Sequence, residues 1–306
     1  MKDNYASDAL GADNSDVLAS FGGAGMRHSI RPRRTVIEQL EDDDESIDLF
    51  HPAPLPATVR PDRQGHAAPV ISDDRAPRWQ DLRVARPGPG GDMPLVDDNR
   101  NSAAARAFDL LRTRLRQTTL EHGWVNIAVV SPTSGCGNTF TATNLALSLS
   151  RVPGSRTVLM DMNMRSPGLA RAFDMPAQGA MSDLLGGRAP LGGHLQRVSD
   201  TLALGLNDQA EVNAAEILQD GATSETLLRM RAALRPEIVL YDMPPMLSHD
   251  DLSAFLPQLD GVLLVSDGSQ TMARHLRECE RMLDGQVPLL GVVLNRARAS
   301  SLPKYA

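Results

Sequence analysis

Nine residues constrain this chain more than any others: Ser131-Pro132-Thr133-Ser134-Gly135-Cys136-Gly137-Asn138-Thr139. An apolar run over 125–130 leads into them and a helix-competent run over 139–149 leads out. Strand, glycine-containing turn and helix make up the context that a phosphate-binding loop requires. The glycines let backbone N–H groups turn inward, and the helix N-terminus adds a positive dipole end, so the turn suits a polyphosphate. The candidate cradle is Ser134, Gly135, Cys136, Gly137, Asn138, Thr139 and Phe140. Thr139 stands where such a loop places the hydroxyl that ligates Mg²⁺. The position before it, where a lysine reaches the β- and γ-phosphates, holds Asn138. Taken by itself, the stretch equally suits an ordinary strand-to-helix turn of small residues.

The surrounding pattern decides between these. Strands are predicted over 125–130, 156–161, 201–206, 237–242, 261–266 and 289–295. Helices are predicted over 139–150, 182–185, 214–218, 225–234, 251–256 and 271–283. An amphipathic helix precedes them, with Ala104, Phe108, Leu111 and Leu115 at helical spacing. Strands without period-two alternation, separated by helices, indicate a mostly parallel, doubly wound α/β sheet buried on both faces. Ligands of such sheets bind at the carboxyl ends of the strands. The loop, Asp161, Asp242 and Asn295 all fall at such ends. Asp161 and Asp242, with Thr139, form an oxygen-ligand set for Mg²⁺, although each carboxylate by itself equally suits a cap or a turn.

Residues 1–95 read differently. They hold 10 of the 21 prolines, and 16 Asp/Glu against 11 Lys/Arg give them a net −5 of the total −7. Such a segment buries too little apolar surface to offset its ordering entropy. The expected organisation is therefore a disordered linker region over 1–100, a nucleotide-binding domain over 101–300 and a tail over 301–306. Within the first region, 22–25 reads as flexible linker, 35–40 as a short helix, and 41–48 as an acidic docking segment. The pI near 5.5 argues against nucleic acid as a partner. Two cysteines, Cys136 and Cys279, imply no disulfide framework. No signal peptide is legible, and no run of about 18 apolar residues offers a membrane span. The seven histidines show no metal-ligand spacing.

From about residue 104 to 298 the chain resembles the bacterial tyrosine kinases of capsule and exopolysaccharide synthesis, in the MinD/ParA-like branch of P-loop proteins. Five segments carry the resemblance. The loop with Asn144-Leu145-Ala146 looks like that family's Walker A. Val158-Leu159-Met160-Asp161-Met162-Asn163-Met164-Arg165 looks like its second Walker motif. Asn213-Ala214-Ala215-Glu216-Ile217-Leu218, Asp242-Met243-Pro244-Pro245 (Walker B) and Gly291-Val292-Val293-Leu294-Asn295-Arg296 complete the set. The resemblance implies ATP or ADP with Mg²⁺, catalytic roles for Asp161 and Asp242, and nucleotide contacts from Asn295 and Arg296. Asn295 would read the adenine edge, although a turn-forming asparagine is equally compatible with its place. The implied partner is a membrane-embedded regulator of polysaccharide chain length, with the chain cytoplasmic and peripheral at the inner membrane.

The departures from the family pattern matter as much. Asn138 replaces the loop lysine, and Asn163 replaces a second aspartate. The family's assembly helix reads Glu-x-x-Arg-x-x-Arg, whereas this chain has Arg106-x-x-Asp109-x-x-Arg112, which suggests an Arg106–Asp109 pair within one helix. Tyr305 is the single tyrosine of the tail. Losing one electrostatic stabiliser costs about 10²–10³ in rate. The expected function is a nucleotide-binding regulator with impaired catalysis, in which Asn138 donates to a phosphate oxygen. The alternatives are an atypical tyrosine autokinase or ATPase with Arg165 or a partner's basic residue standing in for the lysine, and a ParA/MinD-like positioning ATPase.

Overall fold

Apolar runs with no polar alternation become strands covered on both faces, and their order fixes everything around the loop. The computed structural model describes residues 25–30, 76–89 and 91–297. In chain order the elements are β1 (Gly25–Ile30), β2 (Arg83–Val84), α1 (Ala103–His122), β3 (Asn126–Val130), α2 (Asn138–Ser150), β4 (Thr157–Asp161), α3 (Leu169–Ala172), α4 (Met181–Leu185) and α5 (Leu191–His194). There follow β5 (Gln196–Arg197), β6 (Leu202–Gly205), α6 (Ala214–Gln219), α7 (Gly221–Leu234), β7 (Ile238–Asp242), α8 (Asp251–Phe255), β8 (Gly261–Asp267), α9 (Ala273–Leu283) and β9 (Leu289–Ala297).

One sheet runs in the order β1-β9-β8-β3-β7-β4-β6-β5-β2. The six strands from β9 to β6 are parallel. β1 adds antiparallel to β9, and β5 antiparallel to β6. Every residue of β3, β4, β7 and β8 is buried. Successive side chains feed opposite cores. Ile127 and Val129 pack with Phe108, Leu111 and Leu115 of α1 and with Leu145 of α2. Ala128 and Val130 pack on the other face with Leu227, Met230, Phe255 and Cys279. The expected doubly wound α/β architecture is therefore present.

α1 starts where the Ser102 hydroxyl accepts from the Ala105 N–H, and stops at Gly123, whose φ of 68° suits glycine. The edge strands β1, on β9, and β5 and β2, beyond β6, were not foreseen, because strands of two residues and a strand within a charged, proline-rich segment give no periodic signal.

The expectation of linker up to residue 100 needs correction. Within 76–89 and 91–100 the chain is anchored: Trp79, Leu82 and Val96 are each at most 3% exposed. The Trp79 indole donates to the Asp200 carbonyl at 2.8 Å, and the Arg156 guanidinium lies 5.4 Å from its ring centre. Asn144 of α2 holds the same strap, accepting from the Val96 N–H at 2.7 Å and donating to the Pro94 carbonyl. Averaged composition hid three anchors in a polar segment. The expectations for 22–24, 35–40, 41–48 and 301–306 lie outside the described residues.

Candidate functional site: a phosphate-binding loop without its lysine

Between β3 and α2 the chain turns through Gly135 and Gly137 with φ of 81° and 93°. A Cβ on Gly137 would lie 2.3 Å from Asn295 Nδ2, so only glycine fits there. Three successive loop carbonyls are held from outside. Gln270 Nε2 donates to the Ser134 carbonyl at 3.1 Å, Arg296 Nη1 to the Gly135 carbonyl at 2.9 Å, and Asn295 Nδ2 to the Cys136 carbonyl at 2.9 Å. With its carbonyls held, the loop leaves the N–H groups of Gly137, Asn138, Thr139 and Phe140 without a protein acceptor among the described residues. No side chain caps α2. Unbonded N–H groups at a helix N-terminus suit an anion, and the loop is called the cradle.

Below it, β4 and β7 end in register with Asp161 opposite Asp242. Both side chains are fully buried. Asp161 Oδ2 accepts from the N–H groups of Gly168 and Leu169 at 3.0 and 2.9 Å. Asp161 Oδ1 and Asp242 Oδ2 have no hydrogen-bond partner among the described residues. Burial pushes the Asp161 carboxyl up to about 7, against the pull of the Leu169, Gly168 and Asn163 N–H groups and of the Arg171 charge. Burial, then the Asp161 carboxylate, raises Asp242 further, opposed by the Thr139 hydroxyl and the Asn138 amide. Two orphaned carboxylate oxygens beside a threonine hydroxyl fit a hard divalent cation such as Mg²⁺.

Asn138 is not where the sequence reading put it. Its amide is turned away from the cradle: Nδ2 donates to Asp242 Oδ1 at 3.0 Å and to the Met243 carbonyl at 2.7 Å, while Oδ1 accepts from the Ser131 hydroxyl at 3.4 Å. Both amide hydrogens are engaged, so the expected donation to a phosphate oxygen is withdrawn. Arg165 is likewise not a stand-in for the lysine. It grips the buried Asp251 carboxylate with two bonds of 2.8 Å and donates a third to the Val212 carbonyl. Asn295 and Arg296 brace the loop, and Arg296 also pairs with Asp267. Phe140 faces α1, its ring 5.9 Å from that of Phe108. Cys136 is fully buried, within 3.5 Å of the Thr133 and Thr271 hydroxyls. Gln270 and Asp267 were missed as site residues, because their contacts span 136 and 29 positions. Lysine occurs in the chain only at Lys2 and Lys304.

The comparisons bear directly on this geometry. Over 190 residues the chain is 28% identical to a putative tyrosine-protein kinase, EpsB, of Ralstonia nicotianae, covering 60% of this chain and 24% of that one. The succinoglycan biosynthesis transport protein ExoP of Rhizobium meliloti is 29% identical over 59% of this chain and 23% of its own length. The tyrosine-protein kinase YwqD of Bacillus subtilis is 23% identical, covering 67% of this chain and 86% of that one. These relatives are bacterial tyrosine kinases and exopolysaccharide proteins. The chain thus spans about a quarter of the length of EpsB and ExoP and most of YwqD. No protein-family model matches it. Among solved structures, the kinase domain of the Escherichia coli tyrosine kinase ETK superposes with a TM-score of 0.62 at 22% identity, over 74% of this chain and 90% of that one. The VpsO kinase domain gives 0.55 at 25% identity, over 63% and 98%. The fold is that of a bacterial tyrosine-kinase domain.

Proposed function

We propose that this chain is a nucleotide-binding regulator of exopolysaccharide synthesis or export in which phosphoryl transfer is impaired. The carrying observation is the Asn138 amide, which bonds Asp242 and the Met243 carbonyl and presents no charge to the cradle. Phosphoryl transfer depends on positioning and on neutralising charge at the γ-phosphate. Here the backbone N–H groups from Gly137 to Phe140 bind and orient the phosphates, and Asp161, Asp242 and Thr139 hold Mg²⁺. A Mg²⁺ held there would supply charge neutralisation for the phosphates. The described residues add no cation at the γ-phosphate.

Tyr241 points the same way. Tyr241, the single tyrosine among the described residues, is buried, and its hydroxyl donates to Asn126 Oδ1 at 3.2 Å. The partner is a membrane-embedded regulator of polysaccharide chain length, on which the chain docks peripherally from the cytoplasm. No described helix is long and apolar enough to cross a membrane. The test is autophosphorylation of the full chain with ATP, Mg²⁺ and the cytoplasmic tail of such a partner. The expected result is nucleotide binding with no phosphotyrosine above background; robust phosphotyrosine defeats the reading.

A further inference from the structure

We propose that the N-terminal strand β1 keeps Asn295 and Arg296 aimed at the loop between β3 and α2, so that a segment lying before the strap controls the shape of the loop. Along a regular strand, successive side chains leave on opposite faces. Asn295 and Arg296 are successive, yet both bond the same loop, at the Cys136 and Gly135 carbonyls. A bulge in β9 makes this possible. Leu294 faces Arg27 of β1 and Ala297 faces Gly25, so Asn295 and Arg296 together stand opposite one residue, Met26. Arg296 has a φ of 53°, in the left-handed region, as one residue of such a bulge often does. Its N–H donates to Asn295 Oδ1 at 2.9 Å, which ties the two residues into one unit. Bulges beside functional sites re-aim side chains in this way.

β1 pins the bulge from both ends. β8 pairs with β9 as far as Asn295, and the Gly268 N–H donates to the Asn295 carbonyl at 2.7 Å. Past that point the described ladder partner of β9 is β1, with Gly25 beside Ala297. A strained backbone persists only where its surroundings over-determine it. β1 itself lies at the sheet edge, pairs with one strand, and is separated from the next described stretch by residues 31–75. An element with so few partners opens at low free-energy cost. Without it the bulge relaxes toward regular strand, and alternation turns one of the two side chains off the loop. The inference concerns the shape of the loop and does not depend on which ligand the loop takes.

The two native cysteines read this out. Cys136 belongs to the loop and is fully buried, and Cys279 is equally buried on α9, where it serves as the reference for general loosening. The measurement is the rate at which N-ethylmaleimide labels each cysteine of the full chain, read by peptide mass spectrometry, in wild type, H28P, S29P and N295A. In an antiparallel pair, successive N–H groups alternate between facing the partner strand and facing away. One proline therefore breaks the ladder and the other leaves it intact. The ladder-breaking variant should label at Cys136 about tenfold faster than wild type with Cys279 unchanged, and the other should match wild type. N295A should label faster at Cys136 by itself, and the ladder-breaking proline should add less than about twofold to it, because both act through one contact. Wild-type rates at Cys136 in both proline variants overturn the inference, as does equal acceleration at Cys136 and Cys279. Full additivity with N295A also overturns it, because β1 would then act elsewhere. If a proline variant does not fold, replacing the six residues of β1 by glycine takes its place. No nucleotide enters the measurement, so a negative result leaves the nucleotide reading standing.

Discussion

At the scale of single residues, His194 shows how burial sets a pH response. It sits at the end of α5, 1% exposed, with neither ring nitrogen bonded within hydrogen-bond distance among the described residues. Burial holds its imidazole below the ordinary 6.5, against the backbone of Leu206 and the carboxylates of Asp208 and Asp183. A folded-state value below the unfolded one means the unfolded chain takes up the proton first. The stability His194 permits is therefore complete above about 6.5 and is lost as pH falls below it. Asp161 works in the opposite direction, since its raised carboxyl favours the folded state at low pH and ceases to do so as pH rises from 3.8 to about 7. The expected outcome is that wild type loses more stability than H194L between pH 7.5 and 5.5, read from urea midpoints. Parallel profiles would refute it. Asp161, Asp242 and the glycines were legible in the sequence because strand ends and turns announce them. The Asn138 amide was not, since its acceptors lie 104 and 105 positions away. The Arg106–Asp109 pair was misread as well. Asp109 bonds Arg112 and Arg151 at 3.0 Å and the Ser148 hydroxyl at 2.6 Å, while Arg106 donates to the Asn101 carbonyl. Helical spacing proposed one neighbour, and the adjacent α2 supplied better ones.

Among elements, the strap over 76–89 and 91–100 bears on how much of the chain before α1 the fold needs. Its anchors lie on both faces of the sheet: Trp79 and Leu82 enter one core and Val96 the other. Asp97 ties it to Arg151 at 2.9 Å, in the same cluster that holds Asp109. Losing a buried tryptophan alone costs about 3–5 kcal/mol. A chain starting at residue 101 should therefore melt about 10 °C below one starting at residue 76, measured by circular dichroism. Equal melting temperatures would show that the strap adds nothing. The parallel strands and the long helices were readable because their apolar runs are continuous or helically spaced. The strap was not, because its three anchors are spread among prolines and charges and have no period to detect.

For the whole molecule, the charges of α1 set expectations about self-association. Asp109 is engaged by Arg112, Arg151 and Ser148, and Arg106 is exposed where the resembled family carries a glutamate. A swapped charge meets like charge on a conventional neighbour. Mixed rings with a conventional kinase of the resembled family should not form at micromolar concentration in sedimentation; a stable mixed ring would end that expectation. The three side chains that hold the loop carbonyls have a consequence in time. They come from the β8–α9 connection and the end of β9, 136, 161 and 159 positions after the groups they hold. Contacts so distant along the chain close late in folding, because loop-closure entropy must be met first. On a ribosome the loop emerges long before the residues that shape it. The cradle is thus among the last features to form, and its appearance reports that the domain has been synthesised through β9 and folded.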